Sequence, residues 1–278
     1  MALVRFPGTS PAASPDRDPH DSDIELTDAD DLDPGGKMSF LEHLDELRKR
    51  LIASVVAIVI GCGLSFFFIT DIFRIVIGPL QAMLPSGGRF IATEGPEVFM
   101  LYLKVGALTG LFVALPFVLW QLWLFVAPGL YAHEKRYAIP FVLFGSIFFF
   151  AGAYFSHVIA FPYTWKFFLS FESDLVTFMP KLGPAFSLYV KMLLGFGIIF
   201  QMPTVVLFLA RMGMVTAGFL IRHTKYAVLI IFILGAVLSP GGDVVSQALM
   251  AGPMLVLYAI SIGVAWLFGK KRSTALDD

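Results

Sequence analysis

The sequence predicts an all-α membrane protein with six transmembrane helices and both chain ends on the same side. Three observations predict it. Apolar residues make up 57% of the 278 residues and charged ones 15%, against about 25% charged in soluble domains. The mean hydropathy is +0.79, so a water-soluble fold would expose large apolar patches. The apolar residues also come in continuous runs, near 51–70, 99–126, 138–161, 185–210, 226–239 and 246–268. About 20 such residues cross a hydrocarbon core of about 30 Å as a helix. Lipid tolerates only helices or closed barrels, and runs that do not alternate exclude the barrel.

Taken in order, residues 1–37 carry nine acidic residues, from Asp16 to Asp33, among Pro and Gly. Such a stretch has too little apolar surface to offset its ordering entropy, and it reads as a disordered tail. Residues 38–272 follow as the membrane domain, and 273–278 as a short C-terminal tail. The domain opens on Ser39-Phe40-Leu41-Glu42, a capping-box pattern. Leu44, Leu47 and Leu51 fall on one face at helical spacing, so a short amphipathic helix runs into the first span. Gly78-Pro79, Pro85, Gly87-Gly88 and Gly95-Pro96 make 71–98 a turn-rich cap, and Pro162 and Pro184 bound a second loop on the same side. Tyr226 to Ser239 allows only about 21 Å of helix, and Pro240-Gly241-Gly242 stops it. The fifth and sixth spans therefore form a short hairpin.

Lys and Arg near the span ends set the orientation. Arg48, Lys49, Arg50, Lys135, Arg136, Arg211, Arg222, Lys225 and Lys270–Arg272 gather on one side, which reads as cytoplasmic. The other side has Arg74, Arg89, Lys166 and Lys181, with Lys104 and Lys191 just inside the helices.

Few groups carry chemistry. Cys62 stands alone, so no intrachain disulfide forms. No His pair at helical spacing, phosphate loop or nucleophile triad is present, so neither a catalytic site nor a metal site is expected. Glu46 can pair with Arg50 four residues on, and Glu134 with its basic neighbours. Gln201 is the polar anomaly inside a span, near mid-bilayer and two residues before Pro203. It either satisfies a carbonyl freed by the proline or lines a wet cavity.

Four segments then stand out in order: Phe40 to Leu51, Gln121 to Arg136, Phe200-Gln201-Met202-Pro203, and Ser239-Pro240-Gly241-Gly242-Asp243 with Ser246-Gln247. With six spans, they resemble the TatC family, the polytopic core subunit of the twin-arginine protein translocase. The resemblance runs from about Met38 to Arg272. It implies a receptor for twin-arginine signal peptides of folded cargo, acting in several copies with single-span TatA and TatB partners. It further implies a bacterial or archaeal cytoplasmic membrane, drive from the proton-motive force, and neither cofactor nor nucleic acid. Glu46 and Glu134 match the family's signal-binding carboxylates, with Leu41, Arg48 and Phe125 around them. Ser239 and Gln247 match the polar patch where partners dock. Two departures follow: Gln201 stands where members often carry Glu, so this side chain cannot relay protons, and Tyr258 is followed by Ala259 rather than an acid.

Overall fold

The computed structural model describes residues 40–84, 88–126, 138–173, 179–239 and 243–269, all within the unit Met38–Asp278. The acidic tail, the C-terminal tail, Ser39, and the 127–137 segment that holds Glu134 lie outside the described residues.

Helix α1 (Phe40–Phe66) is one rod of 27 residues, so the amphipathic segment and the first span are continuous. Its leucine face, with Leu44, Leu47 and Leu51, is exposed. It packs antiparallel on the helix that follows the first cap. Arg50 near its start meets Gln121, and Cys62 near its end meets Ala107. Small residues permit this close approach, because a Cβ on Gly61 would lie 2.6 Å from Gly110 O.

The cap expected over 71–98 begins instead with a helix, α2 (Ile69–Ala82), which contains Pro79. A proline inside a helix costs about 3 kcal/mol. Ile77 and Leu80 are buried with Leu101, Phe161, Trp165 and Phe186, and two such burials contribute about 1.5–3 kcal/mol each. Burial overrides the local signal. Among the described residues of this segment, the approach to α3 (Glu97–Val126) is the extended part. There Leu182 N–H donates to Ile91 O at 3.0 Å and Ile91 N–H to Pro180 O at 3.2 Å.

The loop expected to start at Pro162 also starts later. Helix α4 (Ala138–Phe155) passes through a π-helical turn, Ser156–Ala160, into α5 (Phe161–Leu169). The wider turn sends the Phe161 N–H to Ser156 O. That extra residue lets the chain absorb the proline ring, which in a regular helix strikes the carbonyl four residues back. The return span is α6 (Leu182–Ile199) and α7 (Met202–Arg211), with Pro203 in the first turn of α7. Its backbone break is confined to Phe200 and Gln201, where Gln201 N–H bonds Ile198 O at 2.9 Å.

Short α8 (Ala217–Arg222) leads into α9 (Thr224–Leu238) and α10 (Val244–Phe268). Helix α9 has 15 residues, about 22 Å of rise, as short as expected. The second helix of the hairpin, expected to be short as well, is not: α10 has 25 residues, or about 37 Å. Asp243 accepts the Ser246 N–H at 2.8 Å and so starts the helix earlier than the apolar run alone indicates. Tyr258 OH donates to Leu220 O at 2.7 Å and ties α10 to α8. Among the described residues there is no strand, and five helical stretches are long and apolar enough to cross a membrane. The chain is a multi-pass membrane protein.

Candidate functional site

At one end of the α1–α3 pair, helical geometry brings charged and aromatic side chains together. Successive residues turn by about 100°, so His43, Glu46 and Arg50 share the face of α1 that meets the end of α3. Arg50 Nε and one terminal nitrogen both reach Glu46 Oε1, at 2.7 and 2.6 Å. The third guanidinium nitrogen donates to Gln121 Oε1 at 3.2 Å. Gln121 is buried, so its amide is a fixed anchor. One turn further out, His43 stacks on Phe125 with ring centroids 4.5 Å apart. The Glu46 side chain keeps 18% of its surface exposed. The result is a carboxylate held from one side by a side-chain cation, beside an aromatic ledge and open to solvent.

The structure joins Glu46 and Phe125 in this cluster. Leu41 and Arg48, seven residues apart, lie on the other side of α1, where both are exposed. The pair with Arg50, one of the two roles open to Glu46 from sequence, is formed. Gln121 and His43 are members of the cluster that motif reading did not single out. A lone polar residue such as Gln121 inside an apolar run is the signal, since it needs a partner.

Ser239 of the α9 end and Gln247 of α10 each reach across the α9–α10 hairpin, to different partners. Ser239 is buried with its Oγ 2.6 Å from Ser246 Oγ, and Gln247 Nε2 donates to Phe232 O at 2.8 Å. Ser246 Oγ donates to Asp243 Oδ1 at 2.5 Å, so the proton between the two serines comes from Ser239. The Ser246 hydroxyl, and after it the Ser246 N–H, hold the Asp243 carboxyl below the usual carboxylate pKa. Both residues thus brace the hairpin, while Val237, Val244 and Val245 face outward.

Gln201 is half-buried, and its Nε2 donates to Gly145 O of α4 at 2.7 Å. The amide serves a neighbouring helix rather than the carbonyls freed by Pro203. At the far end of α3, Glu97 was not singled out by sequence. Its Oε1 accepts the Gly183 N–H at 2.7 Å, and its Oε2 those of Thr93 and Glu94 at 2.7 and 3.4 Å. A Glu that opens a helix and reaches back to preceding amides is the legible part of that pattern. Among the described residues, no three His, Cys, Asp or Glu side chains gather where they could hold a metal ion.

Comparison with known proteins gives one answer. The family described as Sec-independent protein translocase protein (TatC) matches residues 42–253. A protein of that name from Desulforapulum autotrophicum is 44% identical over 238 residues, covering 86% of this chain and 88% of the relative. Another, from Koribacter versatilis, is 38% identical over 238 residues, with 84% and 88% covered. A crystal structure of a twin-arginine translocase receptor, TatC, superposes with a TM-score of 0.71 at 37% identity, covering 80% of this chain and 97% of that one.

Proposed function

The chain belongs to the TatC family of protein translocase components, and from that premise we propose that it binds twin-arginine signal peptides at the Glu46 cluster. The observation that carries the reading is the hold on Glu46: one carboxylate oxygen takes both Arg50 donors, and Arg50 itself is anchored on Gln121. A guanidinium is planar and permanently charged and forks onto carboxylates, which an ammonium cannot do. A peptide arginine approaching from solvent finds Oε2 outside the Arg50 fork. It can add there or displace Arg50, since one guanidinium replaces another without leaving a bare charge. Glu134, in the next connection on the same side, supplies the second carboxylate by family position. The His43–Phe125 ledge offers a flat surface for a peptide arginine or apolar side chain to stack against.

This reading places the α1 N terminus and the chain's C-terminal end in the cytoplasm of a bacterial or archaeal cell. Single-span TatA- and TatB-type subunits dock through the outward valines of the α9–α10 hairpin, with Ser239 and Gln247 bracing it from behind. Several copies assemble, and the proton-motive force drives export of folded cargo.

Site-specific photocrosslinking tests the assignment. A photoreactive residue placed beside the arginine pair of a signal peptide is expected to label α1 around Glu46 and the end of α3 around Phe125. Labelling confined to the α9–α10 hairpin would reject this site.

A further inference from the structure

On the membrane face away from Glu46, α3 and α6 enclose a groove of about 460 Å³. Two cations line it, Lys104 from α3 and Lys191 from α6. Both are exposed, and neither bonds a carboxylate among the described residues. The rest of the lining includes Ser187 and apolar residues, with no acidic group. Two like charges facing one groove repel each other and attract an anion.

Depth decides which anion. The spans Glu97–Val126 and Leu182–Arg211 have 30 residues each, about 45 Å of helix. That exceeds a core of about 30 Å, so roughly 7 Å of each helix stands outside the hydrocarbon at either end. Lys104 follows Glu97 by seven residues and Lys191 follows Leu182 by nine, which sets their backbones about 3 and 6 Å below the boundary. Their flexible stems bring the ammonium groups back up to headgroup level. Deeper along the same walls come Ala107 and Leu111 on α3 and Leu194 on α6. The groove is therefore cationic at its rim and apolar below, the polarity of a phospholipid standing upright.

We propose that this groove binds one anionic phospholipid of the leaflet opposite the α1 N terminus. Its phosphate group lies between Lys104 and Lys191, and an acyl chain runs along Ala107, Leu111 and Leu194. The site is separate from the Glu46 cluster and does not depend on the peptide-binding reading.

The test is native mass spectrometry of the full chain in mild detergent. Phosphatidylglycerol and phosphatidylcholine of identical acyl chains are added in equal amounts. Wild type should retain phosphatidylglycerol preferentially. Lys104→Gln with Lys191→Gln should lower that retention on the order of thirtyfold and leave phosphatidylcholine unchanged. Lys104→Arg with Lys191→Arg should keep the preference, and it guards against a loss caused by misfolding. Lys166→Gln, which removes a charge near the same face outside the groove, should change nothing. Equal retention of both lipids by wild type overturns the proposal, and would instead fit lysines that serve a carboxylate on a partner helix. Undiminished phosphatidylglycerol binding by the Gln pair, or an equal loss in Lys166→Gln, overturns it as well.

Discussion

Glu46 near the start of α1 and Glu97 at the start of α3 sit at opposite ends of one antiparallel helix pair, and their carboxylates are held in different ways. Three backbone amides, from Thr93, Glu94 and Gly183, take Glu97. Those donors cannot leave without moving the chain, so Glu97 joins the start of α3 to the start of α6. Glu46 is held by one side chain, Arg50, at an exposed helix end. A side-chain donor can rotate away and be replaced. Backbone donors make a carboxylate structural, whereas an exchangeable cation keeps one available for binding.

The contrast can be broken by substitution, starting where the effect is largest. Glu46→Ala should weaken binding of a twin-arginine peptide about ten- to a hundredfold, since hydrogen bonds to charged groups contribute about 1.5–3 kcal/mol. Its thermal unfolding should stay close to wild type, because an i,i+4 pair adds only a few tenths of a kcal/mol. Calorimetric titration and a thermal melt of the same sample check both halves. Glu97→Ala should do the reverse, lowering the melting temperature more than Glu46→Ala while the folded fraction binds peptide with unchanged affinity. A Glu97→Ala protein with native stability would show that the backbone donors find water equally well. Gln201 is an intermediate case, a neutral side chain that donates to a backbone carbonyl. Gln201→Leu should cost about 1 kcal/mol of stability for the lost hydrogen bond. Gln201→Glu should cost more unless it takes up a proton, because a carboxylate has nothing to donate to Gly145 O. Denaturant titration of the two variants in one detergent ranks them.

Spans were legible in the sequence because lipid imposes a minimum apolar length, and α9 was legible as the short one for the same reason. Prolines misled. Pro79 and Pro162 read as chain breaks, yet one sits in a helix held by buried Ile77 and Leu80, and the other follows a π-helical turn that makes room for its ring. The length of α10 was already legible in the apolar run over 246–268, within two residues of the helix, and the short-hairpin expectation wrongly carried the limit of α9 over to it. In the site, Glu46 and its Arg50 partner could be read from i,i+4 spacing alone. The Arg50–Gln121 and His43–Phe125 contacts depend on the register between α1 and α3, set by the Gly61–Gly110 approach, and no one-dimensional spacing records that register. Gln201 was legible as an anomaly but not as a link to α4, since its partner is a backbone carbonyl that any residue could supply.

The central claim, that Glu46 itself receives a signal-peptide guanidinium, is tested most directly by a double-mutant cycle. Wild type and Glu46→Ala are each titrated with the twin-arginine peptide and with its twin-lysine counterpart at fixed salt. If the two groups meet, the arginine-to-lysine change should be costly in wild type and nearly neutral in Glu46→Ala, leaving a coupling energy of about 1 kcal/mol or more. Equal losses in both proteins, with strictly additive effects, would mean that the peptide's arginines are read elsewhere.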